Sequence, residues 1–135
     1  MILSTFPLLL NYHLAAPALI RIIAGIFFLV AGYQKLTIRK AKYIEVFQVI
    51  GLKWPKFVTI FVGIAELIGG VLLFIGLFTQ IAALVLAIVA IVALIIKSQR
   101  PDLLERTAWT YVLLLAILLS LLLSGAGSLA LDLPL

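Results

Sequence analysis

No cysteine occurs in the 135 residues, and only one histidine, His13. The first absence excludes disulfides, thiol relays, iron–sulfur clusters and thiolate metal sites. The second excludes paired-histidine haem ligation within one chain and histidine-rich metal sites. No metal site is expected, and His13 itself reads as an interface residue. Charge is scarce too, at 11 % of residues against 66 % hydrophobic, which is far from soluble usage. A net charge of +5 would suggest an anionic or nucleic-acid partner in a soluble protein. Here the placement of the cations points to membrane topology instead, and no nucleic acid is expected. The apolar residues 1–14 lack a basic stretch before Arg21, so they read as an interfacial lead-in rather than a cleaved secretory signal.

What the chain has is long apolar runs. Spans are expected at about 15–36, 56–78, 81–96 and 107–124, the first long enough at ~33 Å to cross a hydrocarbon layer of ~30 Å. Residues 37–56 are too short and polar to span. They carry Arg39, Lys40, Lys42, Lys53 and Lys56 against Glu45, with an apolar stripe of Tyr43, Ile44, Phe47 and Ile50 that ends at Gly51. That pattern predicts a short amphipathic helix on the membrane surface, with Tyr43 and Trp54 at headgroup level. Trp109 and Tyr111 read as interface anchors of the last span. The fold class is all-α: a single-domain integral membrane four-helix bundle, with a short amphipathic interfacial helix between the first two spans.

Nine of the ten cations lie between Lys35 and Lys56 or between Lys97 and Arg106. The positive-inside rule then places both basic loops in the cytoplasm and both termini outside. Small residues at helical spacing mark the faces on which helices meet in lipid. They predict packing faces through Arg21, Gly25, Phe28, Gly32 and Lys35; through Thr59, Gly63, Glu66 and Gly70; through Ala83, Ala87 and Ala90; and through Ala116, Ser120 and Ser124.

Glu66 stands out because no other charge lies within nine residues of it on either side. A carboxylate there costs roughly 2.5–3.5 kcal/mol on insertion scales, so it needs a partner or a task. Counted from the span ends, Arg21 lies ~9 Å and Glu66 ~18 Å below the outer face, a gap that two long side chains can bridge. Asp132 follows the last span on the same side. Arg21, Glu66 and Asp132 therefore form the candidate ligand-binding cluster, read either as a buried ion pair that fixes register or as a site for a quinone, a small acid or a proton. Lys35, Tyr33 and Gln34 are secondary candidates near the inner mouth, where Lys35 can simply snorkel to the interface. No residue is singled out as catalytic.

Three stretches together are similar to the DoxX family of small four-helix prokaryotic membrane proteins. They are RIIAGIFFLVAGYQK from Arg21 to Lys35, GIAELIGGVLLFIGLFT from Gly63 to Thr79, and GAGSLALD from Gly125 to Asp132. Ala126 and Ala130 stand where the family usually has Pro and Ser. The resemblance implies a location in the cytoplasmic (inner) membrane. It also implies association with membrane oxidoreductases, since the family is named for a subunit linked to thiosulfate:quinone oxidoreductase and a terminal quinol oxidase. Arg21, Glu66 and Asp132 then become candidates for a quinone-facing site. Expected partners are the bilayer, a redox subunit and a second copy of the chain. No covalently bound cofactor is expected, and a partner must bring the redox centre.

Two other readings stay open. Four spans with one membrane glutamate is also the plan of small proton-coupled exporters, in which Glu66 would exchange protons for a cationic substrate. The third reading is a non-catalytic assembly protein whose buried charges only set helix register.

Overall fold

In the computed structural model, residues 12–13, 15–127 and 130–131 are described, so the 1–14 lead-in and Asp132 fall largely or wholly outside the described residues. Five helices follow one another: α1 Ala15–Leu36, α2 Lys40–Ile50, α3 Pro55–Ile75, α4 Thr79–Gln99 and α5 Ala108–Ser124. Proline opens two of them where its missing donor is harmless, Pro17 in the first turn of α1 and Pro55 at the start of α3. Gly51 ends α2 in the left-handed conformation with φ 93°, its N–H donating to the Gln48 carbonyl. Gly76 ends α3 the same way at φ 73°, three residues before the expected end. At the other boundary α4 runs on through Lys97 to Gln99, because polar residues do not stop a helix beyond the apolar layer. Pro101 disfavours helical geometry at Arg100 and ends it.

Four helices form the bundle, with α1 against α3, α3 against α4, α4 against α5 and α5 back against α1. The turn at 76–78 makes α3 and α4 antiparallel, and α1 runs antiparallel to α3 across the α2 connection. The core is a set of leucines received by small residues: Leu114, Leu118 and Leu121 of α5 meet Ala82, Ala83, Ala87 and Ala90 of α4, together with Leu86 and Leu73. Helices α1, α3 and α4 are long and apolar enough to cross a membrane, while α5 is apolar and shorter, 17 residues or ~26 Å. Only 33–39 % of each long helix is buried within the bundle. The outward remainder is Leu19, Ile23, Ile26, Ile64, Ile68 and residues like them, an apolar surface suited to contact with lipid.

The buried faces of α1, α3 and α4 carry the residues that their spacing selected. That of α5 does not. Ala116, Ser120 and Ser124 are exposed, and Tyr111, Leu114, Leu118 and Leu121 turn inward. The reason is complementarity: the alanine seam of α4 leaves room that only large side chains fill, so α5 presents leucines where a small-residue face was expected. Tyr111 is accordingly a core residue rather than an interface anchor, while Trp109 is exposed as anticipated.

Candidate functional site

The α1–α3 contact sets the register on which the site depends. A Cβ added at Gly25 would come within 2.8 Å of the Phe74 nitrogen and 2.9 Å of the Gly70 oxygen. One added at Gly32 would stand 2.7 Å from the Leu67 nitrogen and 2.8 Å from the Gly63 oxygen. Backbone touches backbone at both points, so the two helices cannot slide. Continued along the pair, this register sets Arg21 opposite Gly76, Ala31 opposite Glu66, and Lys35 opposite Val62.

Glu66 therefore meets Lys35. Lys35 Nζ donates to Glu66 Oε1 at 2.9 Å, and the two side chains are only 9 % and 7 % exposed. The one-turn offset between them, ~6 Å, is closed by side-chain direction. Helical side chains lean toward the N-terminus of their own helix, and on antiparallel helices these two lean toward each other. Removal from water is offset by the short ionic contact. The contact uses one oxygen of the acid, and Glu66 Oε2 is buried with no hydrogen-bond partner among the described residues.

Other groups converge on the pair from the basic-loop end. The Lys35 ammonium stands 4.7 Å from the centre of the Tyr43 ring on α2, a cation–π contact. Tyr43 and Val46 of α2 pack with Leu104 of the α4–α5 loop and Tyr111 of α5. Arg106 reaches inward to lie 4.7 Å from the Phe27 ring, and it acts electrostatically on both phenols, as Glu66 does. Burial is the main cause that pushes the Tyr43 hydroxyl above its ordinary pKa, Glu66 adds to it, and Arg106 opposes it. At the surface, Arg39 and Lys42 both bond Glu105 and clamp α2 to the loop. The Lys42 hydrogen bond, then the Arg39 and Lys42 charges, hold the exposed Glu105 carboxyl below its usual pKa. Lys97 Nζ donates to the carbonyls of Pro101 and Leu104 and ties down the rest of that loop.

Arg21 and Glu66 are not brought together. The expected gap of ~9 Å was counted from approximate span ends. The register instead gives ten residues along α1, ~15 Å. Arg21 is buried at the other end of the bundle, beneath Gly76 and beside Ala130. There its cation sits at the C-terminus of α3, the end of a helix that favours positive charge. Asp132 lies outside the described residues. Of the secondary candidates, Lys35 is the partner of the acid rather than a snorkelling surface cation. Tyr33 is 57 % exposed, and Gln34 is partly exposed. Tyr43, Tyr111 and Arg106 belong to the site but not to the candidates from sequence, where they read as interface aromatics and a topology charge. A hint was present: Tyr43 opens the apolar stripe of α2, which must face something apolar.

The sequence profile of the DoxX family matches residues 16–98, which hold α1 to α4 and both members of the ion pair. Among curated proteins, the chain is 38 % identical over 114 residues to "Putative oxidoreductase CatD" of Bacillus subtilis (strain 168), a match covering 84 % of this chain and 82 % of that protein. No solved structure gives a significant match.

Proposed function

The chain belongs to the DoxX family, and from that premise we propose that it is a quinone-interacting membrane subunit of an oxidoreductase complex whose working group is the Lys35–Glu66 pair. The observation that carries the reading is Glu66 Oε2, a buried carboxylate oxygen without a hydrogen-bond partner among the described residues. A quinol hydroxyl needs an acceptor and a quinone carbonyl needs a donor. The pair offers both side by side, since the Lys35 ammonium has three donors and Glu66 Oε1 takes one of them. The relative from Bacillus subtilis bears the name "Putative oxidoreductase CatD", which supports this reading. With no cysteine and one histidine, the chain suits a binding and anchoring role beside a partner that carries the redox centre.

The proposal includes the topology. Nine of ten cations gather at the end formed by the α1–α2–α3 connection and the α4–α5 loop, which the positive-inside rule assigns to the cytoplasm of a prokaryotic cell. Lys35 and Tyr43 then lie toward that side, with Glu66 deeper in the bundle. The exporter alternative requires a cationic substrate to occupy Glu66, and Lys35 is a tethered competitor for that place.

The experiment is purification from native membranes in mild detergent, with extraction of bound lipids and mass spectrometry of partners. Quinone and a redox subunit that co-purify with the wild type, with less quinone in Glu66→Gln, are the expected result. Wild-type protein carrying neither quinone nor redox partner contradicts the proposal.

A further inference from the structure

Most cations at the basic-loop end are already occupied. Lys35 is held by Glu66, Arg39 and Lys42 by Glu105, and Arg100 by Asp102. Lys97 bonds loop carbonyls, and Arg106 lies against the Phe27 ring. Lys40, Lys53 and Lys56 make no hydrogen bond or ion pair among the described residues. Two of these three stand together at the α2–α3 turn. There Trp54, Pro55, Lys56, Phe57 and Ile60 line an open groove of about 410 Å³, and Lys53 immediately precedes Trp54.

Below the two ammonium groups the surface is apolar and ordered. The Phe57 and Phe61 rings stack 6.2 Å apart with their planes at 18°. Phe57, Phe61, Ile64 and Ile68 share one exposed face of α3, which runs ~17 Å down the helix. Helix α3 is long and apolar enough to cross a membrane, so this face meets acyl chains while its N-terminal end lies at headgroup level. The exposed Trp54 indole suits that level as well.

We propose that the α2–α3 turn is a binding site for an anionic phospholipid. Lys53 and Lys56 hold the phosphate through charge-assisted hydrogen bonds, and an acyl chain lies along Phe57 and Phe61. The charge of the site selects the headgroup. No acidic side chain lines the groove among the described residues, so a zwitterionic lipid finds no partner there for its ammonium. The site is separate from the Lys35–Glu66 pair, because Glu66 faces inward and the groove lies on the outer surface of α3. It stands whether or not that pair receives a quinone.

The test uses the full chain carrying Trp109→Phe, which leaves Trp54 as the emitting indole. The protein is reconstituted in phosphatidylcholine bilayers containing increasing fractions of brominated phosphatidylglycerol or brominated phosphatidylcholine. Trp54 quenching should show a preference of about ten- to thirtyfold for the anionic lipid, as two lysines beside a lipid phosphate allow. The preference should vanish in Lys53→Gln combined with Lys56→Gln and persist in Lys40→Gln, whose lysine does not line the groove. Equal quenching by the two lipids overturns the proposal, as does a preference that survives the double substitution. A preference lost equally in Lys40→Gln reduces the effect to general surface charge and also overturns it. Amine cross-linking of Lys53 or Lys56 to another protein in native membranes would give the groove to a protein partner instead.

Discussion

Lys35 and Glu66 occupy positions one helical turn out of step on α1 and α3, and their side chains close that offset to 2.9 Å inside the bundle. The pair is the only ion pair with both members buried among the described residues; the others lie at the basic-loop surface. Position along the register, rather than nearness to a span end, decides which cation the membrane glutamate receives.

Removing one partner should be costly and removing both should not. Lys35→Met leaves Glu66 buried and uncompensated, which is expected to destabilise the fold by about 3–5 kcal/mol. Lys35→Met combined with Glu66→Gln should recover most of that loss, because no uncompensated charge remains. Denaturation of the two single variants and the double variant in a fixed detergent gives the coupling directly. Additive losses would mean that the pair contributes nothing beyond its separate side chains.

The two left-handed glycines should respond differently to alanine. Gly51 has φ 93° with open space around a Cβ, so Gly51→Ala carries only the conformational strain, about 1–2 kcal/mol. Gly76 has φ 73°, and a Cβ there would lie 1.4 Å from Arg21 Nη1, so the guanidinium must leave its buried place. Gly76→Ala should therefore be clearly the less stable of the two in thermal unfolding. Equal effects would show that Arg21 moves aside without penalty.

Much of this was legible in the sequence, but unevenly. The inward face of α1 could be read because glycines and cations recur on it at helical spacing, and Lys35 and Arg21 are indeed buried there. The partner of Glu66 could not be read. That choice depends on how α1 and α3 slide past each other, and the slide is fixed by contacts at Gly25, Gly32, Gly63 and Gly70 whose pairing no single-chain pattern displays. The face of α5 was hidden for another reason: a nearly all-apolar helix gives no contrast, and its leucines face inward only because α4 offers alanines. Tyr111 was misread, and the inward reach of Arg106 to Phe27 went unseen, because topology rules account for cations and aromatics near span ends before any tertiary contact is considered.

Glu105 provides a pH test outside the membrane layer. Its folded pKa is depressed by Lys42 and Arg39, so the favourable contribution is present above its unfolded value and is lost as pH falls through the lower folded value. The carboxyl resonance of Glu105 should accordingly titrate below the ordinary 4.5 and move back toward it in Lys42→Gln or at high salt. A midpoint unaffected by either change would show that the clamp between α2 and the loop does not hold in solution.

Close helix contact should be intolerant of bulk at Gly32. Gly32→Val drives a branched side chain against the Leu67 nitrogen and the Gly63 oxygen, neither of which can yield as a flexible side-chain end would. Separation of α1 from α3 is expected to cost at least about 1–3 kcal/mol and to expose Lys35 and Glu66 together. Faster deuterium uptake along both helices would reveal it. Unchanged uptake would place the register constraint elsewhere.

The most direct test of the account is the affinity of a short-chain quinol for nanodisc-embedded protein, compared between wild type and Glu66→Gln. Loss of a hydrogen bond to a charged acceptor corresponds to about 1.5–3 kcal/mol, so binding should be saturable in the wild type and weaker by roughly ten- to a hundredfold in the variant. Equal affinity in both proteins, or no saturable binding in the wild type, would contradict the assignment of Glu66 and Lys35 as a quinone-facing pair.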